Sequence, residues 1–184
     1  MRKLFLPAIV LLFFISCNNE KPAEKTETTA ASGGAETKAT APTEIGDYKY
    51  ADIGRKGIAA MSSGDIDGWM TSYADNAVYI WNAGDSLAGK PAIAAYWKKR
   101  RTEVIDSITF ANDIWLPLKV NTPQRGPDMA GVWLLGWYQV SAKYKTGKRM
   151  SQWVHVDMHF DANDKIDRTI QYIDRVPINE ATKK

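Results

Sequence analysis

Apolar and polar residues alternate along this chain in four distinct regimes. Leu4 to Ile15 is an apolar run interrupted only by Pro7. Residues 18–46 are small, polar or charged, with Ile45 the one large apolar residue among them. From Tyr48 the apolar positions Tyr48, Ala51, Ile58, Ala59 and Met61 recur at helical spacing, which predicts a helix ending at Ser62-Ser63-Gly64. Asp65 is a suitable N-cap for a short second helix over 66–73, whose stripe is Trp69, Met70 and Tyr73. Ala77 to Trp81 reads as a short strand, with Leu87 starting a brief return strand. Gly89-Lys90-Pro91 opens a third helix that runs to about Glu103. After Asp106 the period falls to two. Residues 107–120 read as one long or two broken strands, with Pro117 marking an edge or a bulge. Strands over 131–145 and 148–161 are joined at Thr146-Gly147, and a last strand covers 166–176. Helices followed by an antiparallel meander predict an α+β arrangement, a curved sheet folded over about three helices.

The apolar run at the N-terminus is about a dozen residues long, too short to cross a hydrocarbon core of roughly 30 Å as a helix. With Met1-Arg2-Lys3 before it, the run fits the apolar region of an export signal. Phe14-Ile15-Ser16-Cys17 resembles a bacterial lipobox, with Phe14 in place of the usual leucine. That resemblance implies lipidation at Cys17 and attachment to a membrane, with Asn18 leaning toward the outer membrane. The alternative is an ordinary signal peptide with an incidental cysteine. The expected organisation is a lipoprotein signal over 1–17, a disordered linker over 18–46, a globular domain over 47–178 and a tail over 179–184. The linker cannot bury enough surface to offset its ordering entropy.

Composition narrows the function classes. The formal charge is +3, and removing Arg2 and Lys3 leaves 3 − 2 = +1, so the mature chain lacks the field of a nucleic-acid binder. Lys98-Lys99-Arg100-Arg101 reads as a solvated face at a helix end. A single cysteine excludes an intrachain disulfide. There is no CxxC pair, no Ser-His-Asp order and no phosphate loop, since Gly126-Pro127 lacks the Lys-Ser/Thr tail.

Gly64-Asp65-Ile66-Asp67-Gly68-Trp69, Tyr73-Ala74-Asp75-Asn76-Ala77 and Leu87-Ala88-Gly89-Lys90-Pro91-Ala92-Ile93 resemble the N-terminal half of nuclear transport factor 2-like (NTF2-like) domains of the SnoaL-like branch. His159-Phe160-Asp161, Asp164-Lys165-Ile166 and Tyr172-Ile173-Asp174 resemble the last two strands of that family. The resemblance covers about residues 48–176. It implies a cone: a strongly bent sheet wrapped around three helices, with a pocket between them. It does not fix an activity, because the fold hosts isomerases, dehydratases, cyclases, hydrolases and binding modules. The positions that would carry ketosteroid-isomerase chemistry correspond here to Trp81, Gly57 and Val156, which cannot perform it.

Side chains alternate across a strand. With a two-residue turn at Thr146-Gly147, Trp137 lies opposite Val156, Leu135 opposite Met158 and Gln139 opposite Val154. The resemblance places Val154, Val156 and Met158 inward. The expected pocket is therefore Trp69, Tyr73, Tyr79, Trp81, Trp97, Trp133, Trp137, Gln139, Val156, Met158 and Gln171, an aromatic lining suited to a flat or apolar small molecule. The alternative is that these rings simply fill the cone. A one-residue slip would exchange the faces of one strand.

Both histidines lie in His155-Val156-Asp157-Met158-His159, where His155, Asp157 and His159 share one strand face. They suit an acid–base pair oriented by Asp157. Roughly 13 Å separates the two imidazoles along the strand, so one metal ion cannot bind both without a bulge. The remaining reading is a half-buried outer face that pairs two copies of the chain. The expectation is a membrane-anchored binding domain for a small ligand, homodimeric, with no cofactor, metal or nucleic acid. The alternatives are a SnoaL-like lyase, isomerase or hydrolase using these histidines, or a non-catalytic interaction subunit.

Overall fold

The computed structural model describes residues 40–126 and 128–183. Cys17, the apolar run and the linker up to residue 39 lie outside them. The chain begins with a short strand β1 (Thr43–Ile45), followed by helices α1 (Lys49–Ser63) and α2 (Ile66–Met70). Strands β2 (Tyr73–Trp81) and β3 (Ser86–Ala88) then lead to helix α3 (Lys90–Lys99), which ends in a wider π turn over Arg100–Val104. Four strands follow, β4 (Ile105–Val120), β5 (Gly131–Tyr144), β6 (Arg149–Phe160) and β7 (Ile166–Tyr172), and helix α4 (Val176–Thr182) closes the chain.

The local signals act as expected. The Asp65 carboxylate accepts the Gly68 N–H at 2.8 Å and starts α2. Pro91 occupies the first turn of α3. Three elements depart from the expectation. α2 stops at Met70, and Tyr73, read as part of its stripe, begins β2. Thr43–Ile45, inside the segment read as linker, pairs with Leu118–Val120 at the edge of the sheet. Val176–Thr182, read as strand end and tail, is a helix that Pro177 helps to start.

The seven strands form one sheet in the order β1-β4-β5-β6-β7-β2-β3, antiparallel except where β2 runs parallel to β7. β4 carries a register break between Ala111 and Ile114, where Asn112 adopts φ 55°. Such a bulge bends a strand and lets the sheet curve. The sequence pointed to Pro117, five residues further on.

The hairpin between β5 and β6 decides which residues face inward. Tyr144 N–H donates to Lys148 O at 2.9 Å, and Gly147 N–H donates to Tyr144 O at 2.8 Å. The loop therefore has three residues, Lys145-Thr146-Gly147, with Gly147 at φ 87°. Glycine at the left-handed end of a three-residue loop is the bulged alternative to the two-residue turn. The pairs become Trp137 with His155, Leu135 with Asp157 and Gln139 with Trp153. β6 keeps the expected faces and β5 exchanges them.

The main core lies on the concave side, between the sheet and the helices. It includes Tyr50, Met61, Trp69, Tyr73, Tyr79, Trp81, Leu134, Tyr138, Val156 and Phe160. Trp115 crosses from β4 over Gly136 of β5, where a Cβ would collide with its ring. Glycine is required there by close approach rather than by backbone angle. A second, small cluster on the outer side gathers Val120, Trp133 and Ile170.

Candidate functional site

A cavity of about 260 Å³ opens inside the cone. β2 supplies Tyr79 and Trp81, β5 supplies Tyr138 and Val140, and β6 supplies Val154, Val156 and Met158. β7 adds Thr169 and Gln171, while Trp69, Tyr96 and Trp97 reach in from α2 and α3. The rings lock one another. Trp81 lies 4.9 Å from Tyr79 and 5.1 Å from Tyr96 between centroids, and Trp97 meets Trp69, Tyr79 and Tyr96 edge-on at 5.3–5.9 Å. Trp81 Nε1–H donates to Gln171 Oε1 at 3.0 Å, and the Tyr73 hydroxyl meets Thr169 Oγ1 at 3.2 Å.

Eight of the eleven residues expected to line a pocket do line this cavity: Trp69, Tyr73, Tyr79, Trp81, Trp97, Val156, Met158 and Gln171. Trp133, Trp137 and Gln139 do not. The three-residue hairpin loop turns them to the outer face, and Tyr138 and Val140 take their place. Tyr96, Arg100 and Tyr144 were also missed. Tyr138, Val140 and Tyr144 follow once the loop is read as three residues. Tyr96 precedes Trp97 on the same helix, and Arg100 lies within the run read as a solvated face.

The interior of the cavity is poor in titratable groups. Its ionisable side chains are the tyrosines, and burial pushes the hydroxyls of Tyr73 and Tyr79 up and that of Tyr138 up to about 12. They stay protonated at neutral pH. The charged groups of the lining are Asp85, Arg100 and Arg175. Arg175 Nη2 donates to both Asp85 carboxylate oxygens at 2.6 and 2.8 Å, which holds that carboxyl below its usual value. The cation run divides in structure. Lys98 pairs with Asp67 at 2.6 Å, Arg100 lies 5.7 Å from the Tyr96 ring centroid, and Arg101 donates to Ser62 O at the end of α1.

The histidines stand on the other face of the sheet. His155 Nε2 lies 2.9 Å from Asp157 Oδ1, and its Nδ1 lies 3.0 Å from Gly136 O. Its ring stacks between Trp137 and Tyr172, with centroids 4.5 and 5.3 Å away. His159 pairs with Asp167 at 2.6 Å rather than with Asp157, and its Nε2 faces Ala130 O at 3.0 Å. Burial raises the Asp157 carboxyl above its usual value, and His155 only partly opposes this. No acid–base pair built on these residues opens into the cavity. Among the described residues, no group of three or more His, Cys, Asp or Glu side chains is placed to hold a metal ion. Among them, too, no helix is long and apolar enough to cross a membrane.

No family model and no curated protein matches the chain. Solved structures do. A protein designated a candidate polyketide cyclase from Xanthomonas campestris pv. campestris superimposes with TM-score 0.58 at 13% identity, covering 72% of this chain and 96% of that one. A candidate isomerase from Bacillus subtilis gives TM-score 0.55 at 21% identity, covering 72% and 91%. An NTF2-like protein of unknown function from Burkholderia pseudomallei gives TM-score 0.58 at 12% identity, covering 73% and 97%. Identities this low speak to architecture and not to chemistry. The architecture they share with this chain is the NTF2-like cone, an α+β fold in which a curved, unclosed sheet packs on a few helices.

Proposed function

We propose that the domain binds a small apolar or aromatic molecule inside the cone. The observation that carries this reading is the cavity of about 260 Å³ walled by Tyr79, Trp81, Tyr96, Trp97 and Tyr138. Rings on several sides suit a flat guest, and the few amides and hydroxyls fix its orientation. Binding is favoured over catalysis because the one carboxylate of the lining, Asp85, is held by Arg175, no imidazole lines the cavity, and its tyrosines hold their protons.

The test uses 2-naphthylethanol as probe and isothermal titration as readout. Val156→Trp fills the cavity and should weaken binding at least about tenfold, while Trp137→Ala, on the outer face, should leave it unchanged. Far- and near-UV circular dichroism confirms that both variants fold. Equal binding by Val156→Trp, or a loss confined to Trp137→Ala, would place the guest elsewhere.

Two further parts of the reading come from the sequence. Cys17 is the lipid acceptor that holds the domain at a membrane of the cell envelope. Cys17→Ser should then abolish radiolabelled palmitate incorporation and move the protein out of the membrane fraction. The outer face is the surface where two copies pair, since Ile114, Trp153 and Tyr172 are exposed there at 58%, 54% and 41%. Tyr172→Glu should shift a dimer to monomer in sedimentation velocity, and a wild type that sediments as monomer rejects the pairing.

A further inference from the structure

The hydrogen-bonding capacity of the cavity wall is unevenly spent. Its carboxylate and one of its amide oxygens are occupied: Gln171 Oε1 receives the Trp81 N–H, and both Asp85 carboxylate oxygens receive Arg175. Gln152, also in the lining, is closed in a reciprocal pair with the Asp174 backbone at 3.1 Å in both directions. Two donors are not. The Trp97 Nε1–H is buried with no partner. The Arg100 side chain makes no hydrogen bond or ion pair with the described residues, and its guanidinium lies against the Tyr96 ring. A buried donor left without an acceptor is costly, so a guest that brings acceptors is preferred.

Charge points the same way. The ionised side chains of the lining are Arg100, Arg175 and Asp85, two cations and one anion, which leaves +1. Asp85 is already neutralised by Arg175, so the free charge is that of Arg100. These groups sit where the wall reaches solvent: Asp85 and Arg175 keep 51% and 38% of their side-chain surface exposed, whereas Tyr79, Trp81 and Val156 are buried. The cavity therefore has an apolar aromatic floor and a cationic rim.

We propose that the guest is amphipathic and anionic, with an aromatic or alicyclic body in the cone and an oxyanion head, carboxylate or phosphate, held at the rim by Arg100. This rests on the binding reading above and adds the class of ligand. The guanidinium fork matches a planar oxyanion, and the low-dielectric aromatic wall strengthens the pairing.

Three probes of the same shape test it: 2-naphthylacetate, 2-naphthylethanol and 2-naphthylethylammonium, titrated calorimetrically at one ionic strength. The acetate should bind about tenfold more tightly than the alcohol, and the ammonium should bind more weakly than both. In Arg100→Gln the acetate-to-alcohol ratio should fall to about one. In Asp85→Asn, which removes the rim's anion, that ratio should rise. The two opposite shifts cannot both come from a general loosening of the fold, and thermal melts of each variant check that it folds. 2-Naphthyl phosphate in place of the acetate decides between the two heads. An unchanged ratio in Arg100→Gln, or equal binding of acetate and alcohol, overturns the anionic class while leaving the binding domain intact. Failure of all three probes to bind overturns both.

Discussion

The two faces of β5, β6 and β7 are built from alternating residues of the same strands, yet they obey different chemistry. The inner face presents Tyr138, Val140, Val154, Val156 and Met158 to a cavity. The outer face presents Trp137, His155, Asp157 and His159, tied by short polar contacts and ring stacking. A strand alternates with period two, so the whole division hangs on one residue of hairpin length. The polar cluster most visible in the sequence lies on the face away from the cavity, and the cavity is made by residues with little chemical reactivity of their own.

Substitutions on each face should separate these roles. The largest effect is expected at Trp81→Ala on the inner face. Trp81 is 5% exposed, packs on Tyr79 and Tyr96, and satisfies Gln171. Its loss should cost about 3–5 kcal/mol, read as a lower urea midpoint. His159→Ala on the outer face should come next, at about 1–3 kcal/mol, because Asp167 and Ala130 O both lose a partner at a site that is 4% exposed. It should leave binding of 2-naphthylethanol unchanged. A loss of binding would mean that the outer face reports to the cavity.

The smallest effect is a difference in pH dependence between two carboxylates. Burial raises Asp157, so the native state holds that proton more tightly than the unfolded chain. Its contribution to stability is fullest below the unfolded value of about 3.9 and is lost as pH rises through the folded value. Asp157→Asn should therefore melt higher than wild type at pH 7, with the advantage shrinking toward pH 4. Arg175 lowers Asp85, so its contribution is present above the unfolded value and is lost as pH falls through the folded one. Asp85→Asn should melt lower than wild type at pH 7, and that deficit should vanish in acid. Parallel shifts in the two variants would contradict the assignment.

Much of the fold was legible because its signals are local. Asp65 capping, Pro91 at a helix start and the shift from helical to two-residue periodicity near Asp106 each specify a segment without reference to the rest of the chain. The inward set of β6 was legible as well. β5 was not, because Thr146-Gly147 fits either a two- or a three-residue loop, and only the pairing of Tyr144 with Lys148 decides. β1 was hidden because Thr43–Ile45 is exposed and held by backbone pairing, with one side-chain bond from Asn121 to Glu44 Oε1. α4 was hidden because Val176 and Pro177 end a run with strand character, and the helix is secured by distant groups, Thr146 Oγ1 and Lys148 Nζ donating to its carbonyls. Arg100 illustrates the same limit. Its sequence neighbours mark it as surface, whereas the turn after α3 brings it to the cavity rim.

The central claim is that a guest occupies the concave side of the sheet. Isotope-filtered nuclear Overhauser spectroscopy on the domain with 2-naphthylethanol tests this directly. Cross-peaks are expected from the naphthyl protons to the methyl groups of Val154, Val156 and Met158, and none to the rings of Trp137 or His155. Cross-peaks to Trp137 and His155, with silent methyls on Val156 and Met158, would contradict it.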